Sequence, residues 1–274
     1  MSPLLKTRVI SAVVLLPIVL VILYLGGWPY EALVGLATVL AGYEYVQMLA
    51  RRGYELHTWL VMALIIAWEI GELWPAGDPW VPMVLFMVVG AFPALVRSQR
   101  DGEGSLPVEH WALMLAGSSY LGLGGRALIH LRRAPDGLWW TFLTCLIVWV
   151  GDSAAYFVGR RWGRHKIAPR ISPGKSWEGY LAQVLAGTLL GGGLGALGAS
   201  LVHVPSLALA PGLGLGFLVS LLCPGGDFLV SMIKREVGVK DTGALIPGHG
   251  GMFDRLDSLL WAGVLASLLV GLIV

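Results

Sequence analysis

The sequence predicts an all-α fold of about nine helices that cross a membrane, and three observations carry that prediction. Of the 274 residues, 56% are hydrophobic and only 13% charged. The mean hydropathy is +0.74, far from the balance of a domain that folds in water. Apolar runs near the length a bilayer requires recur along almost the whole chain, and the polar residues collect in a few short stretches.

Taken in order, the expected spans are Val9–Leu25, Pro29–Leu49, Thr58–Leu73, Trp80–Val96, Trp111–Leu128, Leu138–Gly159, Gly179–Val202, Ser206–Leu222 and Leu256–Val274. The first has a basic flank like a signal peptide, but its apolar run is long and no small-residue cleavage site follows, so it reads as a retained span. The third, fourth and fifth are short or interrupted by polar residues. Turns such as Trp74–Pro79 and His203–Pro205 join the spans, and Trp28, Trp74 and Trp80 suit the aromatic belts of the membrane interface. Cys145 and Cys223 both fall in apolar spans and read as core residues, since two cysteines so placed give no zinc or disulfide framework. Gly187, Gly191 and Gly195, and again Gly212 and Gly216, recur every fourth residue, a spacing that lets helix backbones approach closely in lipid. No linker, long-period repeat or second soluble domain is visible, so residues 1–274 are expected to form one membrane domain, with its polar motifs concentrated in 149–258.

Cytoplasmic loops are enriched in Lys and Arg. With the N-terminus inside, sixteen of the 19 basic residues fall on the cytoplasmic side. The pairs Arg51 and Arg52, then Arg97 and Arg100, lie there with the basic loop 160–175 and the stretch 234–255. Arg126, Arg132 and Arg133 fall on the opposite side, so the predicted topology, N-terminus in and C-terminus out, has one local exception.

Chemistry is expected where the apolar pattern breaks. In the stretch 227–258, Asp227 is followed by Ser231, Lys234 and Arg235 at helical spacing, which puts all four on one face. Lys240 and Asp241 come next, then the turn Pro247-Gly248-His249-Gly250-Gly251, then Asp254, Arg255, Asp257 and Ser258 at the start of the last helix. Two acidic helix ends beside several cations suit a magnesium triphosphate, because carboxylate oxygens hold the hard cation while Lys and Arg take up phosphate charge. Acids in a first turn are also favoured by the helix dipole, and basic residues at a span's end also mark its cytoplasmic edge. A second stretch places Asp152 and Tyr156 one turn apart inside an apolar run, where an acid needs a cation or a hydrogen-bond network. After it, Pro173-Gly174 is expected to turn the chain and present Lys175 and Ser176, with Ser172 just before and Glu178 in the first turn of the next helix. Glu44, bracketed by Tyr43 and Tyr45 near a cytoplasmic helix end, is expected to reach water. Glu69 and His130 are given no role.

The run from Ser231 to Asp257 reads Ser-x-x-Lys-Arg-x4-Lys-Asp-x-Gly-x2-Ile-Pro-x-His-Gly-Gly-x2-Asp-Arg-x-Asp. It closely resembles the signature of the phosphatidate cytidylyltransferase (CDP-diacylglycerol synthase) family in its bacterial form. The stretches 149–159 and 172–179 resemble that family's other polar segments, and Tyr43-Glu44-Tyr45 its short aromatic-Glu-aromatic motif.

The resemblance implies transfer of a cytidylyl group from CTP to phosphatidate in phospholipid synthesis, at a cytoplasm-facing site in the bacterial inner membrane, by a protein that is often dimeric. It implies magnesium, with potassium as a second cation, and no nucleic-acid partner. Asp227 and Asp254 fall on the positions proposed as metal ligands, with Asp152 and Asp257 nearby. Lys234, Arg235, Lys240, Asp241, His249 and Arg255 complete the expected catalytic set, and Asp152, Tyr156, Ser172, Lys175, Ser176 and Ser231 the substrate-binding set. The chain departs from the pattern at Val230, where the family commonly has Glu, so the number of acidic ligands is not carried over. A CTP-dependent lipid kinase, a cytidylyltransferase for another lipid phosphate and a membrane transporter remain as alternatives; a transporter should place its site near the midplane between two related halves, whereas the polar stretches here gather at one face.

Overall fold

The computed structural model describes residues 3–73, 88–92, 96, 107–201, 203–245, 248 and 250–273, with side chains for all of these except 3–10, 12, 107 and 205. The elements are α1 (Pro3–Leu25), α2 (Gly27–Ala50), α3 (Thr58–Leu73), α4 (Pro107–Arg133), α5 (Gly137–Trp162), β1 (Lys166–Ala168), β2 (Ser172–Ser176), α6 (Trp177–Leu201), a 3-10 turn (Pro205–Leu207), α7 (Leu209–Leu222), α8 (Pro224–Glu236) and α9 (Phe253–Ile273).

Six of the described helical runs are long and apolar enough to span a membrane, with α7 and α8 forming one of them, Leu209–Glu236; Val13–Leu25 is a shorter apolar run. The protein is therefore an all-α polytopic integral membrane protein. Among the described residues the count is six, and the expected nine extend over residues outside them. Helix α3 has 16 residues, and the expected Trp80–Val96 span, the Trp74–Pro79 turn, Arg97 and Arg100 lie wholly or mostly outside the described residues.

The chain forms two compact units, one from residues 1–22, 28–129 and 236–256, the other from 23–27, 130–235 and 257–274. In the first, α2, α3 and α4 meet through glycines. A Cβ on Gly117 would strike the Tyr45 ring, one on Gly42 would reach Ile65, and one on Gly122 would reach Trp68. Inside this unit Glu69 is buried and accepts a 2.6 Å hydrogen bond from Thr38 Oγ1. Arg126 Nε lies 3.1 Å from Glu72 Oε2.

In the second unit α5, α6 and α7 pack against one another around Trp140, Leu143, Ile147, Leu215 and Val219, with the later part of α9 adding Ala262 and Ala266. Cys145 and Cys223 are free and buried here. The four-residue glycine repeats of α6 and α7 form the contact between those two helices: a Cβ on Gly191 would come within 2.3 Å of the Gly212 carbonyl oxygen, and one on Gly216 within 2.3 Å of that of Gly187. Gly193, on the same helix, has no heavy atom within 4 Å of its own Cβ position. One substitution on one helix should therefore act in opposite directions. Gly191→Ala is expected to destabilise the purified protein by about 1–3 kcal/mol through the forced separation. Gly193→Ala should stabilise it by up to about 1 kcal/mol through helix propensity. Thermal unfolding in detergent reads both.

The topological exception at Arg132 has a structural answer. Helix α4 continues to Arg133, so the arginines sit on a helix and not in an aqueous loop. Arg132 donates from Nε to the Leu23 carbonyl (2.9 Å) and from Nη2 to that of Tyr24 (3.1 Å), the last carbonyls of α1. Such carbonyls have no partner within their own helix, and a cation there also complements the helix dipole. Gly26, with φ of 64°, ends the helix beside it. A side chain at Gly26 would sit 2.4 Å from the guanidinium. Arg132 is thus a helix cap, a structural role that it fills beside its charge.

A candidate phosphate and cation site

Helix α5 leaves its apolar part with Asp152, Tyr156 and Arg160 in a stripe of four-residue spacing, and Arg160 Nη1 donates to Tyr156 Oη at 3.0 Å. The chain then returns through an antiparallel hairpin, with Lys166 opposite Ser176 and Ala168 opposite Ser172. This corrects the expected turn at Pro173-Gly174: those residues lie within β2, and the turn is made by 169–171. Three contacts close the base of the hairpin. Trp177 N–H donates to the His165 carbonyl (2.9 Å), Glu178 accepts from the His165 backbone N–H and pairs with its Nδ1 at 2.7 Å, and Ser176 Oγ accepts from Gly179 N–H as the N-cap of α6. Glycines make this fold-back possible: a Cβ on Gly179 would come within 2.7 Å of the Ala155 carbonyl oxygen.

The hairpin delivers Lys175 to the first turn of α8. Its Nζ lies 2.7 Å from Asp227 Oδ2 and 4.1 Å from the centre of the Phe228 ring. Asp227 Oδ1 accepts from Ser231 Oγ at 3.0 Å, one turn along α8, and Arg235 Nε donates to the Ile171 carbonyl in the hairpin turn. On the α5 side, Asp152 Oδ1 accepts from Gln183 Nε2 at 3.0 Å. Between these elements is an open cavity of about 600 Å³, lined by Asp152, Tyr156, Arg160, Lys166, Lys175, Ser176, Gln183, Asp227 and Phe228 among others. That volume suits a bound small molecule. Two carboxylates among three cations suit an anion that arrives with a metal.

The tips of α8 and α9 meet beside this cavity, because a Cβ on Gly226 would lie 2.2 Å from the Asp257 carbonyl oxygen. Asp152, Asp227, Asp257 and Lys175 all lie within electrostatic range of the buried Cys223 thiol. Of the expected binding residues, Asp152, Tyr156, Lys175, Ser176 and Asp227 line one cavity and Ser231 orients Asp227. Ser172 is placed at the far end of β2, opposite Ala168.

A second polar constellation lies in the other unit, over residues 241–254. Asp254 Oδ2 accepts from Thr242 N–H (2.9 Å), Thr242 Oγ1 (3.0 Å) and Gly251 N–H (3.2 Å). Glu44 reaches the same segment from α2. Its Oε1 accepts from Met252 N–H and its Oε2 from Phe253 N–H, both at 3.0 Å, and Oε2 also lies 3.0 Å from Thr242 Oγ1, whose single proton Glu44 and Asp254 share. The expectation that Glu44 simply reaches water is therefore corrected, since it is 7% exposed and satisfies the otherwise unpaired first N–H groups of α9. Gly243 and Gly251 leave room for it, each lacking a Cβ that would come within 2.4 Å of its carboxylate. Lys240, Asp241 and Arg255 belong to this segment, with a Cβ on Gly250 falling 3.1 Å from Asp254 and 3.8 Å from Asp241. Ile246, Pro247 and His249 lie outside the described residues.

No three His, Cys, Asp or Glu side chains among the described residues come together as a metal cluster. Magnesium does not require one, because it keeps several waters and takes one or two carboxylates together with substrate phosphate oxygens. Asp227 fits that demand: its carboxylate already holds a cation, opens on a polar cavity and has its second oxygen fixed by Ser231.

These features define an integral membrane protein with a polar, cation-rich cavity made by a helix tip and a hairpin. Residues 6–273 match the family described as "Cytidylyltransferase family". The chain belongs to that family. It is 36% identical over 271 residues to a phosphatidate cytidylyltransferase of Brucella suis, covering 95% of this chain and 91% of the relative. It is also 33% identical over 281 residues to one from Synechocystis sp., covering 94% of each, and 32% identical over 287 residues to one from Haemophilus influenzae, covering 93% and 94%.

Proposed function

We propose that the protein transfers the cytidylyl group of CTP to phosphatidate, yielding CDP-diacylglycerol and pyrophosphate. The observation that carries this reading is the Lys175–Asp227 pair facing Arg160 and Lys166 across one cavity, in a chain that matches the family along nearly its whole length. A phosphatidate phosphate oxygen forms the new bond to the α-phosphorus of CTP, and the bond from that phosphorus to the bridging oxygen of the β-phosphate breaks. The nucleophile is already an anion at neutral pH, so the work is positioning and charge neutralisation and not proton abstraction.

Asp227 holds magnesium, with Asp254, Asp152 and Asp257 as further acidic positions and potassium as a second cation. Bound magnesium offsets the triphosphate charge and polarises the reacting phosphorus. Arg160, Lys166 and Lys175 bind phosphate oxygens in the cavity, and Lys234, Arg235, Lys240 and Arg255 attract pyrophosphate or the lipid phosphate. Tyr156 and Ser176 line the substrate. Asp241 and His249 belong to the glycine-rich segment, His249 as a phosphate contact or a turn-setting residue. The distribution of Lys and Arg supports a site facing the cytoplasm; the bacterial relatives support the inner membrane as its place, and the working form is proposed to be a homodimer in contact with membrane lipid.

Purified protein given magnesium, phosphatidate and CTP labelled at the α-phosphate is expected to form a labelled CDP-lipid and one pyrophosphate per turnover. Transfer of label from the γ-phosphate, with no CDP-lipid, would identify a lipid kinase instead.

A further inference from the structure

We infer that Lys175 is a tethered counter-ion that competes with a divalent cation for Asp227, releases it when the cation binds, and then binds the phosphates that the cation brings. The inference rests on the functional reading above and adds an exchange step to it.

Three observations lead here. Lys175 Nζ contacts Asp227 Oδ2 at 2.7 Å, while Oδ1 is engaged by Ser231; the ammonium therefore sits against the carboxylate oxygen that Ser231 does not hold. Both side chains are partly open to the cavity, at 27% and 33% exposure, so the pair can separate without unpacking the protein. The ammonium also lies 4.1 Å from the centre of the Phe228 ring, so the carboxylate is not its sole favourable contact.

An ammonium and a divalent cation at one carboxylate oxygen repel each other strongly at such distances, so binding of the metal must displace Lys175. A lysine is a point charge on a flexible four-carbon stem, and phosphate is a natural ligand for it. The metal arrives with a triphosphate, so the displaced ammonium finds new anionic partners inside the same cavity. The same pairing keeps the Asp227 carboxylate from standing uncompensated whenever no metal is bound.

The exchange has a signature that a purely structural lysine would not give: its removal should tighten metal binding and weaken nucleotide binding together. Binding of Mn²⁺ alone is measured by calorimetry or paramagnetic resonance on the full-length protein in detergent, and CTP dependence by turnover. Lys175→Met is expected to bind Mn²⁺ about 3- to 5-fold more tightly, the scale of a partly exposed ion pair. The same variant should need at least about 10-fold more CTP, the scale of a lost hydrogen bond to a charged group. Lys175→Arg, which keeps the charge, should restore the weaker Mn²⁺ binding. Unchanged or weaker Mn²⁺ binding in Lys175→Met would overturn the exchange even if CTP binding falls. An unchanged CTP requirement would overturn its second half. A wild-type protein that forms no CDP-lipid would instead remove the functional reading, a result separate from the Mn²⁺ measurement.

Discussion

Asp227→Asn is expected to lower CDP-lipid formation by at least about a hundredfold, with little loss of folded protein. The substitution is nearly isosteric and its amide oxygen can still accept from Ser231 Oγ, so the first turn of α8 keeps its geometry. What disappears is the negative charge, and with it the proposed hold on a divalent ion against the triphosphate. Loss of several kcal/mol of charge stabilisation corresponds to two or more powers of ten in rate. The stability cost should be about 0.3–1 kcal/mol, the worth of an acidic residue in a helix's first turn. Product formation and thermal unfolding measured side by side separate the two effects. Wild-type turnover in this variant would remove Asp227 from the metal site.

Glu44→Ala should be damaging in a different way, through both stability and turnover. Its carboxylate is the acceptor for two backbone N–H groups in the 242–253 segment and shares the Thr242 hydroxyl proton with Asp254. Buried donors left without a partner cost about 1–3 kcal/mol each, so losing the side chain is expected to destabilise the protein by about 3 kcal/mol or more. The freed segment carries Asp254 and Thr242, whose mutual hydrogen bonds depend on the same turn, so activity should fall even in the fraction that remains folded. Glu44→Gln retains one acceptor oxygen but turns an amide N–H₂ toward a backbone N–H, which can only donate; an intermediate loss is expected. An alanine variant with wild-type melting temperature and turnover would mean that the 242–253 segment holds its conformation without α2.

Much of the architecture is readable before any coordinates because lipid is an undemanding partner with one strict rule. A segment in the bilayer must be apolar and must satisfy its own backbone, so runs such as Gly27–Ala50 and Phe253–Ile273 announce themselves as helices. The glycine repeats of α6 and α7 were equally legible, since close backbone contact requires missing side chains at a fixed spacing. The hairpin was not. Lys166–Ala168 is only three residues long, and Ser172–Ser176 contains Pro and Gly and lacks the alternation that marks a strand; its pairing is imposed by closure between α5 and α6. The cap at Arg132 was also invisible, because its partners lie 108 and 109 positions away. Arginines 126–133 therefore looked like a misplaced loop.

The amino-acid order alone determined that this is a helical membrane protein, where the six long apolar helices among the described residues fall, and which polar stretches carry acids and cations in a pattern shared with cytidylyltransferases. Those properties follow from local solvation and from spacing along one helix, which neighbours in sequence settle. Only the tertiary structure decided that Lys175 meets Asp227 from a hairpin 52 positions earlier and that Glu44 clamps a turn about 200 residues downstream. Pairings of that kind depend on how the chain closes its long loops, and composition and periodicity carry no record of closure.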